Sequence, residues 1–236
     1  MDLFTYIVVI FLATFILIYA YIKKKIDLSA VFASAIIGLI VVFTIEISYL
    51  LLMISFFILG NLATIYKQKI KESEGVSEGV RTFKNVFGNG AAATIFSIFY
   101  YITKAQIFQI AFIGAMATAT SDTFATEIGQ AHEKNPKLIT NLKKVNVGTP
   151  GAISLQGIFA AIIGSFLISL ISFIFSNEKS FLMYGTLSGI IGCMIDSLIG
   201  ATIERNLIDK HMTNFIATLL GGIFSIVFFY FLPFNF

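Results

Sequence analysis

Residues 28–66 read LSAVFASAIIGLIVVFTIEISYLLLMISFFILGNLATIY and carry one charge, Glu46. Crossing the hydrocarbon of a bilayer takes about 20 apolar residues in a helix. The stretch is therefore either one overlong helix or two helices joined by a tight turn at Glu46. Positive charge decides between them, because lysine and arginine collect on the cytoplasmic side of membrane proteins. With two helices, one side receives Lys23, Lys24, Lys25, Lys67, Lys69, Lys71, Arg81, Lys84, Lys134, Lys137, Lys143, Lys144, Arg205 and Lys210, and the other only Lys104 and Lys179. A single fused helix inverts every later loop and replaces this 14-to-2 split by 11 to 5. Two helices with a turn at Glu46 is the better reading.

The rest of the chain follows the same rule. Further charge-free runs cover 3–22, 85–103, 105–121, 145–177, 180–195 and 211–236. Of 236 residues, 57% are hydrophobic and 12% charged, and the mean hydropathy is +0.90. Soluble domains carry roughly 25% charged residues. The composition excludes a soluble cytosolic enzyme, a disordered chain and a charge-driven binder of nucleic acid. The expected fold is all-α, a polytopic membrane bundle of about eight transmembrane helices near 3–22, 28–45, 47–65, 86–102, 106–128, 152–176, 181–204 and 212–232. A barrel is disfavoured because the segments are continuously apolar rather than alternating. The whole chain, 1–236, reads as one transmembrane domain with cytoplasmic loops near 66–85 and 129–151 and both termini outside. The first helix lacks a basic start, carries Asp2 and is followed by Lys23, so it reads as an anchor rather than a cleavable signal. Cys193, the only cysteine, lies in an apolar run and reads as a small core hydrophobe.

Polar residues within the spans carry the functional signal, since a charge inside a membrane costs about 2.5–3.5 kcal/mol on insertion scales. Asp122 and Asp196 are expected roughly 9 and 12 Å from the inner ends of parallel helices. Two acids at similar depth fit a shared divalent cation, because hard cations take carboxylate oxygens; the alternative is a pair of structural acids, protonated or paired with lysine. Thr126 shares a helix face with Asp122, as Gly200 and Glu204 do with Asp196. Both segments contain Asp, then Ala-Thr, then Glu, a hint of an internal repeat. Glu127 and Glu204 fall at the membrane boundary, as ligands or as solvated acids. Gly88-Asn89-Gly90 opens the helix expected from 86 and points its free N–H groups inward, suiting an anion, although small residues also serve helix packing. The segment 141–154 supplies Lys143, Lys144, a Gly148-Thr149-Pro150-Gly151 turn and Ser154 before another inward helix start. His132 and His211 lack ligand spacing and read as surface residues.

Taken in order, Asn89-Gly90, Ser121-Asp122-Thr123-Phe124-Ala125-Thr126-Glu127, Gly148-Thr149-Pro150-Gly151-Ala152-Ile153-Ser154 and Asp196-Ser197-Leu198-Ile199-Gly200-Ala201-Thr202 resemble the family of transmembrane protein nineteen, which includes the phytyl phosphate kinase of vitamin E synthesis. Pro150 departs from the Asn expected there. The resemblance covers roughly residues 28–232. It implies phosphoryl transfer from a nucleoside triphosphate, often CTP, to an isoprenyl monophosphate in the bilayer. It implies Mg²⁺ held by Asp122 and Asp196 with Glu127, and Lys84 acting beside the aspartates. Substrate would meet Gly88, Asn89, Gly90, Thr126, Lys143, Gly148, Thr149, Gly151, Ser154 and Ser197, with Arg81 and Lys144 adding positive charge. A second copy of the chain is left open as a partner; nucleic acid is excluded. The rival functions are an ion-coupled transporter and a cytidylyltransferase that makes a CDP-lipid with the same metal and triphosphate site.

Overall fold

The computed structural model describes residues 3–204 and 207–232; Asp2 and Arg205 of the charge argument lie outside them. Eight long helices fill the expected runs: α1 (Leu3–Ile22), α2 (Leu28–Thr44), α3 (Ile47–Ile65), α5 (Phe83–Thr103), α6 (Ile107–His132), α7 (Leu155–Ser176), α8 (Lys179–Thr202) and α9 (Lys210–Phe231). Between them lie a short helix, α4 (Gln68–Ser73), and two short strands, β1 (Lys137–Leu138) and β2 (Ala152–Ile153). The chain is an all-α polytopic membrane bundle. Among the described residues, six helices are long and apolar enough to cross a bilayer; α2, at 17 residues, is shorter. The stretch around Glu46 does break: Ile45 ends α2 outside helical geometry and Glu46 precedes α3 in extended backbone.

The remaining helix, α6, is the hub. Every residue from Ile110 to Ser121 is buried, so this helix touches neighbours all round and needs little lipid-facing hydrophobicity. Its Ala, Gly, Ser and Thr residues let other backbones come close. A Cβ on Gly114 would meet Gly221 O at 2.9 Å, and one on Gly222 would meet Ala111 O at 2.8 Å. Small residues at such seams replace the hydrophobic drive that is absent between helices in lipid. At the other extreme, α1 leaves Phe4, Phe11, Phe15 and Ile22 exposed and packs through Val9 against Ile47 and Leu50.

Four basic segments meet at one end of the bundle. Asp27 N donates to Arg81 O at 2.9 Å and Arg81 N to Lys25 O at 3.0 Å. Lys84 Nζ lies 3.7 Å from Asp209, and Lys210 Nζ 3.7 Å from Glu78. The residue 66 and residue 132 segments meet through Tyr66 and His132, which stack at 5.8 Å. At the opposite end, Glu46, Gln106, Gln109 and Glu178 share a second cavity of about 290 Å³. An impermeant maleimide applied to whole cells is expected to label Lys179→Cys and not Glu74→Cys, because lysine and arginine collect on the cytoplasmic side of membrane proteins. Labelling at 74 from outside would overturn that orientation.

Candidate functional site

The inner part of α6 does not stop at the membrane boundary expected near residue 128. It continues to His132 and is followed by a folded return segment rather than an open loop. Val145 N donates to Pro136 O and Leu138 N to Lys143 O, each at 2.9 Å, closing a turn with Leu142 in left-handed geometry. β1 then pairs antiparallel with β2, Lys137 opposite Ile153 and Leu138 opposite Ala152. Ser154 caps α7 by accepting from Gly157 N at 3.1 Å, so this helix begins at Leu155 rather than 152.

This segment encloses a cavity of about 490 Å³ against α6, α7 and α8 at the basic end. Gly151 is the point of contact with α8. It has φ +73, and a Cβ there would meet Ser197 O at 2.5 Å; a Cβ on Gly200 would meet Gly151 N at 2.8 Å. Gly151→Ala is expected to lift the return segment from α8, costing about 1–3 kcal/mol through backbone strain and overpacking. Thermal unfolding in detergent with limited proteolysis of residues 134–150 checks this; an unchanged melting temperature and cleavage pattern would refute the contact.

Asp122 and Asp196 face each other in this cavity, with carboxyl groups within hydrogen-bonding reach. One oxygen of Asp196, Oδ2, is buried and has no hydrogen-bond partner among the described residues. A buried orphan acceptor calls for an explanation. Two facing carboxylates with a free buried oxygen are a donor set that fits a hard divalent cation. Among the described residues no group of three or more His, Cys, Asp or Glu converges as a metal site. A cation here would complete its shell with ligand and water oxygens. Glu133 and Glu204 also line the cavity, and Lys210 is the lysine among its lining residues. An acid-rich cavity of this kind repels free phosphate until a cation neutralises it.

The structure gathers Asp122, Thr126, Gly148, Thr149, Gly151, Ser154, Asp196 and Ser197 around this cavity. It sets the other candidates elsewhere. Glu127 is buried in an ion pair with Lys71 and accepts from Thr64 Oγ1 at 2.9 Å, so its carboxylate is already engaged rather than turned to the aspartates. Lys84 pairs with Asp209 on the surface, both about half exposed. Asp209 is itself the cap of α9, and the N–H of Met212 holds its carboxyl below the ordinary carboxylate range. Gly88, Asn89 and Gly90 do not open a helix. α5 starts at Phe83 under a Thr82–Asn85 capping box, which places the three residues in its second turn. There a Cβ on Gly88 would meet His211 O at 2.8 Å, Asn89 bonds Asn85 and Asn214, and Gly90 faces Met53 and Ile37. They pack helices. Lys143 is exposed on the outside of the return segment, and Arg81 donates to Thr64 Oγ1 at 3.0 Å.

Sequence reasoning counted Lys210 only as a topology charge. Its place as the first residue of a helix starting at the basic end was the available signal. Glu133 carried none, because only the folded return segment brings it over the cavity.

The chain matches the family described as Integral membrane protein DUF92 over residues 11–228. It is 37% identical over 209 residues to an uncharacterised membrane protein of Methanocaldococcus jannaschii, covering 87% of each chain. It is 32% identical over 190 residues to the chloroplastic protein VTE6 of Arabidopsis thaliana, covering 75% of this chain and 57% of that one. Protein PGR of Arabidopsis thaliana is 26% identical over 230 residues, with 85% and 80% covered. No solved structure matches the chain. With most of its length inside the family match, and with the ordered motifs already resembling that group, the chain belongs to the DUF92 family of integral membrane proteins.

Proposed function

We propose that this protein is a membrane-embedded, Mg²⁺-dependent phosphotransferase that converts an isoprenyl monophosphate to the diphosphate with a nucleoside triphosphate such as CTP. The observation that carries the reading is the facing pair Asp122 and Asp196, with a buried oxygen that has no partner among the described residues, in a cavity that also has apolar walls. The family resemblance supports the same reaction class. Asp122 and Asp196 would hold a divalent cation, which would supply neutralisation of charge at the transferred phosphorus. Asp122 and Asp196 fix where that charge can sit, and Lys210 presents an ammonium group to the same space. Thr126 and Ser197 offer hydroxyl donors beside the acids. The return segment, seated on α8 through Gly151, limits water at the reacting phosphates. An oxygen of the lipid phosphate forms the new P–O bond as the bond to the nucleoside diphosphate breaks. That oxygen is already anionic, so no dedicated base is required.

The test is incubation of purified protein with Mg²⁺, labelled CTP or ATP, and a panel of prenyl monophosphates. The expected product is a prenyl diphosphate and a nucleoside diphosphate. Pyrophosphate with a CDP-lipid would identify a cytidylyltransferase instead. Neither product, with uptake of substrate into proteoliposomes, would identify a carrier.

A further inference from the structure

We infer that the lipid reaches the cavity sideways from the bilayer, through a gap between α7 and α8 gated by Ile158 and Met194. The inference rests on the lipid-phosphate reading above and names the route and the residues that select the chain.

The apolar wall of the cavity is built from Ile158 and Ala161 on α7 and Ile190 and Met194 on α8. Two of these side chains are also half exposed, Ile158 at 44% and Met194 at 53%. Side chains that line a cavity and are also half exposed form a wall one residue thick. The surface beyond is apolar, with Phe159, Ile162 and Leu198 exposed, and reads as the lipid-facing side of the bundle. The slot extends from Asp196 to Ile190, six residues or about 9 Å along α8.

Neighbouring contacts confine the opening to this place. Farther from the basic end, α7 and α8 are clamped: Ser165 Oγ donates to Thr186 O at 2.8 Å, and a Cβ on Gly189 would run into Ser165 Oγ of α7. On the other flank α7 is bolted to α6, where Ser121 Oγ donates to Ala161 O at 2.9 Å and Gly157 lies against Ala125. Between these clamps, the side chains of Ile158 and Met194 carry no hydrogen-bond donor that could fix them in place. An unbranched thioether such as Met194 repacks readily around a passing chain. The occupant this geometry fits is a single flexible hydrocarbon chain ending in phosphate. The phosphate needs the acid pair and its cation, and 490 Å³ holds the head and the first part of a chain but not a long one. The remainder must leave through the slot into lipid.

The probe is Cys193, the only cysteine of the chain, which lines the cavity behind the gate. Wild-type protein in nanodiscs is irradiated with a long-chain alkyl diazirine dissolved in the bilayer, and the rate of carbene insertion at Cys193, which needs no thiolate, is followed by mass spectrometry. Modification is expected, and Ile158→Trp with Met194→Trp is expected to slow it at least tenfold, whereas Met194→Ala accelerates it. A 20-carbon prenyl monophosphate with Mg²⁺ is expected to protect Cys193. If the tryptophan pair does not fold, Ile158→Phe and Met194→Phe replace it. A wild-type Cys193 that resists the bilayer-borne reagent, or gate variants that leave its rate unchanged, overturns the route. Because labelling requires no turnover, an intact gate effect in a protein that makes no prenyl diphosphate would instead sink the kinase reading and leave the gate standing.

Discussion

Asp122→Asn and Asp196→Asn proteins are each expected to lose at least about a hundredfold in turnover while remaining folded, since removing one preorganised group at a developing charge typically costs that much. The two carboxylates lie within reach of each other, and Asp196 Oδ2 has no partner among the described residues. Without a cation, like charges so placed repel. Either substitution removes that repulsion, so the metal-free variants should melt at the wild-type temperature or above it. The wild-type protein should be stabilised by Mg²⁺ through mass action, by RT ln(1 + [L]/Kd), and each variant should lose that shift. The two readouts together separate a cation site from a purely structural pair of acids. Structural acids would give variants that melt lower and respond to Mg²⁺ as the wild type does. Near-wild-type turnover at saturating Mg²⁺ in either variant ends the shared-cation assignment for that residue.

The bundle was legible because its signals are local and redundant. Runs of about 20 apolar residues between charges mark helices directly, and the position of a single glutamate, Glu46, was resolved by counting lysines and arginines elsewhere. α6 was read as a span from its lack of charge; its polar, small-residue composition was the available signal of the buried hub that the structure shows. The cavity lining was legible where sequence order carried the residues into place, as with Asp122, Asp196 and the 148–154 turn. It was misread where one pattern serves two purposes. Gly88-Asn89-Gly90 suits either an anion or a close helix contact, and the choice depends on where α5 begins. The deciding signal was upstream: Thr82 and Asn85 stand at capping-box spacing, which starts the helix at Phe83 and carries the glycines into the packed second turn. Lys71 was legible only as one of three basic residues in Lys67-x-Lys69-x-Lys71. No local pattern distinguishes the one that turns inward.

That inward turn sets the largest expected stability effect. Lys71 is fully buried. Its Nζ donates to Ala63 O at 3.2 Å and Thr64 O at 2.6 Å, closing the carbonyl end of α3, and pairs with Glu127 on α6. Glu127 lies one residue past Thr126 of the cavity. The ion pair thus ties α3, α4 and the inner part of α6 into one unit beside the aspartates. Removing one member of a buried pair leaves an uncompensated charge and costs about 3–5 kcal/mol. Lys71→Ala is expected to lie in that range, because it also strands two helix-end carbonyls. Glu127→Ala leaves the ammonium with its carbonyl partners and should cost less. Lys71→Met and Glu127→Gln, made singly and together, keep volume while removing one charge or both, so the loss in the double variant should fall below the sum of its two single losses. Reversible unfolding in detergent for the three proteins gives the coupling energy. An additive cycle, or a Lys71→Ala protein within about 1 kcal/mol of wild type, would show that the pair does not hold this end together. In the folded double variant the Mg²⁺-induced rise in melting temperature should persist, because Glu127 is engaged by Lys71 and Thr64 and not by the cation. Loss of that rise would return Glu127 to the ligand set from which its buried partners separate it.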